Sequence, residues 1–171
     1  AGNEGPITYA FDNNEVTFWH SNYSPYQALP ATVEIDMKEV HTINQFDYLP
    51  RQDGNTNGQI TKYELYIKEN AADEYQKVSE GELAANASLK KITFDAANAR
   101  YIKFVALEGT GNGGKSFACA SEFTVRQIDS KAELRKVVNL AANYEKEYYT
   151  TASWNDFETA LTNAQMILDK A

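Results

Sequence analysis

Three polar loops of this chain contain side chains that are suited to binding a neutral ligand rich in hydroxyl groups. His20 lies in TFWHSNYSPY, Arg51 lies in LPRQDGNTNG, and Phe117 follows the glycine-rich stretch EGTGNGGKS. An arginine fork, an asparagine amide and an imidazole can each bond a hydroxyl group. An aromatic ring can pack on the apolar C–H face of a pyranose. Together these are the residue types that a sugar-binding site needs.

Each of these residues also has an interpretation without a ligand. His20 could cap a turn, Arg51 could end a strand in solvent, and Phe117 could belong to the core. The polar neighbours of Phe117 nevertheless indicate an exposed ring. Trp19 carries a large apolar area, so we expect it to turn inward while His20 and Tyr23 face a ligand.

A second cluster of oxygen-bearing residues lies in the loop after TYAF. Asp12, Asn14 and Thr17 form the pattern D-x-N-x-x-T, and calcium prefers carboxylate, hydroxyl and carbonyl oxygens from such a tight loop. Glu122 is a candidate for the remote carboxylate that would complete the coordination shell. An Asx-turn without a metal is the alternative interpretation.

Motifs of catalysis are absent from the sequence. It contains no GxSxG, HExxH, CxxC or P-loop pattern, and GTGNGG precedes a strand-like segment where a phosphate-binding loop would precede a helix. His20 and His41 are the only histidines, and neither has a partner that indicates a metal site or a triad. Cys119 lies among small residues, which predicts a buried apolar thiol. A small hydrolase is therefore an alternative without a supporting motif.

The composition is that of a folded, acidic protein. The chain has 171 residues, of which 43% are hydrophobic and 23% are charged, with a net charge of −8. This charge disfavours nucleic acid and anionic membranes as partners, because both attract basic patches. No apolar run approaches the roughly 20 residues of a membrane span. No signal peptide is visible, and the chain begins abruptly, as an excised segment would.

The first part of the chain has the pattern of an all-β domain. Short runs rich in β-branched and aromatic residues alternate with turn signals such as PRQDGNTNG, and no segment of helical period separates them. This pattern predicts an antiparallel sandwich or barrel. The predicted strands are 31–37, 42–49, 60–69, 90–95, 100–107 and 121–128.

The pattern changes near residues 128–131, where two amphipathic helices are predicted to begin. One apolar stripe runs at helical spacing from Leu134 to Tyr148, and a second runs from Trp154 to Leu168 with Ser153 as the expected N-cap. We therefore predict two domains, a β-sandwich over 1–128 and a helical hairpin over 129–171. Two stripes leave wide flanks in solvent, so the helical segment looks truncated.

Five blocks of the first part carry a family resemblance. They are AFDNNEVTFWHSNYSP, LPATVEIDM, INQFDYLPRQDGNTNGQITKYELYI, ARYIKFVALEG and SFACASEFTV. In this order, over about residues 3–128, the chain resembles carbohydrate-binding module family 32, which has the factor V/VIII type C (discoidin-like) fold. The resemblance implies an antiparallel β-sandwich of jelly-roll topology. It also implies a non-catalytic module that is attached to a secreted or cell-surface bacterial glycoside hydrolase.

The resemblance also implies which residues bond the sugar. In the galactose binders of the family, these are the histidine after the FW pair, the arginine of the PRQ block and an asparagine a few residues later. Here they correspond to His20, Arg51 and Asn57, with Asn55 as the alternative register.

Further sugar contacts follow from the same resemblance. The aromatic platform of the last loop corresponds to Phe117, a second aromatic residue to Tyr23, and an acidic residue ahead of the first block to Glu4. The implied ligand is terminal galactose or N-acetylgalactosamine on host glycans. Specificity for N-acetylglucosamine or for an extended glycan is an alternative, and so is a protein- or surface-adhesion module of the same fold.

The family's structural calcium site maps onto the loop described above. Asp12-Asn13 stands where many members have Asp-Gly, and asparagine tolerates the left-handed conformation that glycine would adopt there. The implied ligands are the side chains of Asp12, Thr17 and Glu122 and the carbonyls of Tyr9, Asn14 and Ser121.

The C-terminal part resembles a different module. YTTASWNDFETALTNAQMIL carries the pattern of the FIVAR module, a small helical bundle of bacterial surface and secreted glycosidases, of which about two helices are present. We interpret this segment as a spacer, and we expect the protein to be a monomer that does not insert into membranes.

Overall fold

The chain separates into two compact units in a computed structural model that describes residues 4–128 and 131–169. The first unit is Ala1–Ile128 and the second is Asp129–Ala171. Residues 129 and 130, where the sequence places the boundary, lie outside the described residues. Each unit is described separately below.

Two β-sheets build the first unit. A small sheet has the strand order β1-β2-β7 and a larger one has the order β5-β4-β6-β3-β8. Neighbouring strands are antiparallel except β1 and β2, which run parallel. The predicted fold class is therefore confirmed. The strands are β1 (Glu4–Gly5), β2 (Phe18–His20), β3 (Ala31–Leu49), β4 (Ile60–Lys68), β5 (Gln76–Glu82), β6 (Lys90–Gly109), β7 (Cys119–Ala120) and β8 (Glu122–Arg126), with a 3-10 turn at Ile7–Phe11.

Strands β3 and β6 are longer than the sequence predicts. They pair from Ala31↔Ala106 to Tyr48↔Lys90, and the register shifts between Asp36 and His41. Such a bulge lets a strand bend and continue, so the predicted segments are halves of two bent strands. The polar strand β5 is not predicted at all, because its sequence QKVSEGE lacks β-branched and aromatic residues apart from one valine.

Aromatic rings fill the core of the first unit. Phe104 lies 5.3 Å from Phe46, 5.2 Å from Phe123 and 5.9 Å from Tyr63, measured between ring centroids. All four residues are buried. Such contacts contribute beyond the area that they bury, so this cluster holds the larger sheet to the elements packed on it.

Tyr48 connects this core to the small sheet. Its buried hydroxyl donates to the carbonyl of Cys119 at 2.9 Å and accepts from the backbone N–H of Ile60 at 3.0 Å. Burial raises the pKa of the Tyr48 hydroxyl, so it stays neutral and can donate. The bond fixes β7, and therefore the strand next to it, relative to the larger sheet.

The second unit contains two helices, α1 (Ala132–Ala141) and α2 (Thr151–Asp169), with a 3-10 turn at Lys146–Tyr148 between them. Helix α1 ends before Tyr148, where the apolar stripe predicts that it should continue. The prediction of Ser153 as N-cap is wrong, because Ser153 lies inside α2. The hydroxyl of Thr150 accepts from the backbone N–H of Ser153 at 3.2 Å, so Thr150 caps the helix.

Candidate functional site

Three backbone segments meet at one end of the first unit. His20 ends β2 and pairs with Cys119 of the neighbouring β7. The loop that follows β3 joins them, because Gly58 accepts from the N–H of Cys119 at 2.7 Å. Gly58 has a φ of +86°, and a β-carbon there would collide with the Sγ of Cys119. This close approach brings the loop that contains Arg51 and Asn57 against the strand of His20.

The orientation of His20 is set by its own backbone neighbour. Its Nδ1 lies 2.6 Å from the carbonyl oxygen of Ser21. A carbonyl only accepts, so Nδ1 carries the proton and Nε2 of the neutral ring is an acceptor. That Nε2 lies 3.4 Å from Nδ2 of Asn57, within reach of an amide N–H or of a ligand hydroxyl.

Arg51 is buried and held in one orientation. Its Nε and one terminal nitrogen donate to the two carboxylate oxygens of Asp53, at 2.8 and 2.5 Å, and the other terminal nitrogen donates to the carbonyl of Asn57 at 3.3 Å. The guanidinium carbon lies 4.2 Å from the centroid of the Phe18 ring. Arginine has five N–H donors, so two remain for a ligand after these three bonds.

The pairing of Arg51 with Asp53 also shifts the pKa values of both side chains. The hydrogen bond from Arg51 lowers the pKa of Asp53 below its ordinary value, and the same bond raises the pKa of Arg51. The guanidinium is therefore a permanent donor whose plane is fixed before any ligand arrives.

The side-chain oxygen of Asn57 is an acceptor that neither Arg51 nor His20 bonds. Its Oδ1 is buried and has no hydrogen-bond partner. The side chain of Asn55 instead accepts from the backbone N–H of Asn57 at 2.8 Å, which supports the loop. Of the two registers left open by the sequence, the structure brings Asn57 to His20 and gives Asn55 a supporting position.

The prediction of an exposed ring at Phe117 is wrong, since only 5% of its surface is exposed. The ring lies 5.2 Å from His20 and 5.5 Å, edge to face, from Tyr26. These two rings cover it. Tyr23 is 56% exposed and meets the His20 ring edge to face at 5.3 Å. The ring available for stacking is therefore that of Tyr23. Phe117 contacts His20, and His20 in turn contacts Tyr23.

Two further residues of the predicted site lie on the small sheet. Trp19 is partly buried and packs against the core, with its ring 6.5 Å from Phe123, as expected of an inward-facing residue. Glu4 pairs with Phe18 across β1 and β2, and its charge contributes to raising the pKa of the Cys119 thiol. Burial is the main cause of that rise, to about 12, so the thiol is neutral and Cys119 is the buried apolar residue predicted from its neighbours.

Four of the six predicted cation ligands, Asp12, Asn14, Thr17 and Glu122, converge although Glu122 is 110 positions from Asp12. The backbone N–H of Asn14 donates to Oδ1 of Asp12 at 2.9 Å and to Oε1 of Glu122 at 3.0 Å. The hydroxyl of Thr17 lies 2.8 Å from Oδ2 of Asp12 and 2.8 Å from the carbonyl of Asn14. Asn13 has a φ of +58°, the left-handed conformation expected from the sequence.

The charges and the donor set of this loop suit a hard cation. Burial, with a contribution from the nearby Asp12 carboxylate, raises the pKa of Glu122. A bound cation would relieve the repulsion between the two carboxylates, as a shared proton does in its absence. The hydroxyl of the fully buried Ser121 has no partner. Tyr9 lies in the adjacent 3-10 turn. Two carboxylates, a hydroxyl and backbone carbonyls are the mixture that calcium accepts.

Sequence reasoning missed two residues that shape the site. Asp53 fixes the plane of Arg51, and the sequence signal is its position two residues later in PRQD. Tyr26 covers Phe117, and its hydroxyl lies 3.4 Å from the carbonyl of Ser116. No local pattern reveals that contact, because the two residues are 90 positions apart.

Comparison with known proteins shows that the first unit is similar in sequence and in fold to a group of related domains. The sequence profile of the F5/8 type C domain family matches residues 1–123. CpGH89CBM32-5 from Clostridium perfringens, solved in complex with GalNAc-β-1,3-galactose, is 41% identical with a TM-score of 0.68, covering 74% of this chain and 87% of that one. The family 32 module of C. perfringens NanJ, solved in complex with galactose, is 32% identical with a TM-score of 0.64, covering 73% and 86%.

Among curated proteins, a galactose oxidase of Gibberella zeae is 35% identical over 132 residues, which is 76% of this chain. The chain spans 19% of that protein. The similarity therefore concerns one domain of a much larger enzyme.

Proposed function

Because the chain belongs to the F5/8 type C domain family, we propose that its first unit is a non-catalytic carbohydrate-binding module for terminal galactose or N-acetylgalactosamine. The observation that carries this proposal is the cluster of His20, Arg51 and Asn57. It presents the two guanidinium N–H groups that the bonds to Asp53 and Asn57 leave over beside one unpaired acceptor, the buried Oδ1 of Asn57, and beside Nε2 of His20, which the amide of Asn57 approaches to 3.4 Å. The solved complexes of similar modules with galactose and with GalNAc-β-1,3-galactose support the choice of sugar.

A hydroxyl group suits this cluster because it donates and accepts at once. In the proposed complex the axial 4-hydroxyl of galactose donates to Oδ1 of Asn57 or to Nε2 of His20 and accepts from Arg51. Glucose carries that hydroxyl equatorially and would leave these groups unpaired. Each buried polar group left unpaired costs about 1–3 kcal/mol, which is enough to discriminate between the two sugars.

The apolar face of the sugar packs in this proposal on Tyr23, the exposed ring of the site. The resemblance to other family members implies Phe117 for this contact, but His20 and Tyr26 cover that ring. The site holds a single sugar through few contacts, so we expect a Kd on the order of 0.1–1 mM. Clustered glycans would raise the effective affinity through avidity.

The curated relative contains much more than this domain, since the chain spans 19% of the galactose oxidase. We propose that the module targets an attached carbohydrate-active enzyme, specifically a secreted or cell-surface bacterial glycoside hydrolase, and that it acts as a monomer. The second unit would serve as a FIVAR-type spacer. Among the described residues, no helix is both long enough and apolar enough to cross a membrane.

Calcium is expected to stabilise the loop of Asp12, with the side chains of Asp12, Thr17 and Glu122 and the carbonyls of Tyr9, Asn14 and Ser121 as ligands. Calcium at about 100 times its Kd adds roughly 2.7 kcal/mol to the free energy of unfolding. We therefore expect EDTA to lower the melting temperature of the first unit by roughly 5–10 °C. Differential scanning calorimetry with and without calcium measures this shift.

The matched control is Glu122→Gln, which keeps the shape of the side chain and removes its charge. The variant should melt at nearly the same temperature in calcium and in EDTA. Galactose affinity should stay unchanged throughout, because the ion would position loops without touching the sugar. Equal melting temperatures of the wild-type protein in calcium and EDTA would contradict the metal site.

A glycan array tests the proposed function against the rival of an adhesion module. We expect the protein to bind glycans that end in galactose or N-acetylgalactosamine, and not to sediment with vesicles of phosphatidylserine and phosphatidylcholine, since its net charge is −8. An array without any bound glycan, or sedimentation with the vesicles, would contradict the proposal. Strong binding to N-acetylglucosamine alone would refute the sugar assignment while leaving the module assignment intact.

A further inference from the structure

The second unit contains a pocket whose walls are almost entirely aromatic. Its volume is about 320 Å³, and it is lined by Tyr144, Tyr149, Ser153, Trp154 and Phe157. All five residues belong to the turn after α1 and the start of α2. The pocket is therefore lined by one short segment of the chain.

The four rings form a closed circuit. Tyr144 contacts Tyr149 at 6.2 Å, Tyr149 contacts Trp154 at 5.9 Å, Trp154 contacts Phe157 at 5.1 Å, and Phe157 contacts Tyr144 at 5.7 Å. Neighbouring rings are inclined by 41° to 66°, so none of these pairs is stacked flat. The four rings therefore line the pocket as one continuous aromatic surface, and a cation within ~6 Å of a ring centroid is attracted to the face of that ring.

The rings remain partly open to solvent, and neither Lys136 nor Lys146 covers them. Tyr144 is 54% exposed and Tyr149 is 45% exposed. In the first unit, by contrast, Lys103 lies 4.4 Å over Tyr66 and Lys115 lies 4.9 Å over Tyr26. In the second unit, neither Lys136 nor Lys146 lies over any of the four rings.

Charge complementarity favours a cationic occupant. Between residues 144 and 158 the sequence has one cation, Lys146, and four carboxylates: Glu145, Glu147, Asp156 and Glu158. All five charged side chains are exposed. Their net charge of −3 and the negative faces of the rings would both attract a cation.

The few hydrogen-bonding groups of the pocket limit which kind of cation it can bind well. The hydroxyl of Ser153, the only polar side chain of the lining besides the indole and phenol groups, is already bonded to Thr150. The indole N–H of Trp154 is buried without a partner and can only donate. A primary ammonium would lose its hydrogen bonds to water in such a place, whereas a methylated quaternary ammonium has none to lose.

From these observations we infer that the second unit binds a trimethylammonium group, as in choline, in the circuit of Tyr144, Tyr149, Trp154 and Phe157. The rings supply cation–π attraction and contact with the methyl groups, and the surrounding carboxylates supply long-range attraction. This site is independent of the proposed sugar site and would give the second unit a binding function beyond that of a spacer.

The test is a titration of the full chain with choline, followed by NMR through the indole N–H resonance of Trp154. The comparison ligand is 3,3-dimethyl-1-butanol, which has the shape of choline and no charge. We expect choline to shift the resonance with a Kd on the order of 1–10 mM and the neutral analogue to bind at least ten times more weakly. Equal shifts with both ligands, or no shift with choline at about 100 mM, would overturn the inference.

Two substitutions locate the site. Tyr149→Leu removes one wall and should weaken choline binding at least tenfold, while Tyr148→Leu should leave it unchanged, because Tyr148 is 75% exposed and does not line the pocket. Circular dichroism checks that both variants keep their helices. Equal losses in the two variants would also overturn the inference, and the comparison of the two ligands on wild-type protein stands even if Tyr149→Leu does not fold.

Discussion

Arg51→Ala is expected to abolish detectable galactose binding. The substitution removes two N–H groups that remain free for the sugar and three hydrogen bonds that shape the loop. A hydrogen bond to a charged group contributes about 1.5–3 kcal/mol. Loss of two such bonds weakens binding at least roughly 100-fold, which moves a millimolar Kd beyond measurement. Isothermal titration calorimetry with galactose measures the loss.

Arg100→Ala is the matched control for this variant. Arg100 holds Asp36 through two hydrogen bonds of 2.8 and 3.0 Å, and its guanidinium lies 4.9 Å from the centroid of the Tyr101 ring. It thus repeats the bidentate pair and the ring contact of Arg51. Gly109, at the end of β6, lies against the backbone of Phe117. Arg100 is nine residues from Gly109 along β6, which corresponds to roughly 30 Å of extended strand. Unchanged affinity in folded Arg51→Ala, or an equal loss in Arg100→Ala, would contradict the role of Arg51.

The Arg51–Asp53 pair predicts how galactose binding responds to pH. Because the folded-state pKa of Asp53 is lowered, the stability from its pairing is present above the ordinary pKa of aspartate and is lost only as the pH falls through the lower, folded value. The carboxylate therefore stays charged and keeps Arg51 oriented throughout the range from about pH 5 to 8. A loss of affinity within that range would have to come from another group.

Phe123→Ala is expected to cause the largest loss of stability. The ring is buried and contacts five aromatic neighbours with centroid distances of 5.2–6.5 Å: Phe11, Trp19, Phe46, Tyr48 and Phe104. Replacing a buried phenylalanine by alanine costs about 3–5 kcal/mol, from lost burial and from the cavity that remains. Urea unfolding of the first unit, followed by its far-UV circular dichroism, measures the free energy of unfolding.

Phe123→Leu distinguishes the loss of volume from damage to the neighbouring loops. It preserves most of the apolar volume and should cost less than about 2 kcal/mol. A cost below about 1 kcal/mol for Phe123→Ala would mean that the core closes around the missing ring. That outcome would contradict the central position given to Phe123 in the core.

The sequence predicts the sandwich because its strands carry strong local signals. The alternation of Tyr63, Leu65 and Ile67 buries one face of β4 and is visible without any structure. The polar strand β5 lacks this signal, because an edge strand needs little apolar surface. The continuity of β3 through its bulge is also hidden, since the alternation of Val33, Ile35 and Met37 does not continue to His41.

The functional residues are predicted less completely than the fold, because contacts between distant segments decide their environment. Phe117 looks exposed beside its polar neighbours, and only the fold shows that Tyr26 covers it. Likewise, the unpaired oxygen of Asn57 is a property of the assembled site. The apolar stripes of the second unit are visible in the sequence, but the closed circuit of four rings depends on the turn between the helices.

The most direct test of the central claim is a titration of the wild-type protein with galactose, N-acetylgalactosamine, N-acetylglucosamine and glucose, followed by NMR. We predict binding of the first two sugars with a Kd on the order of 0.1–1 mM and at least tenfold weaker binding of the two sugars with an equatorial 4-hydroxyl. The shifted resonances should include the side-chain amide of Asn57. No response to galactose or N-acetylgalactosamine, or equal affinity for glucose, would contradict the account of the site.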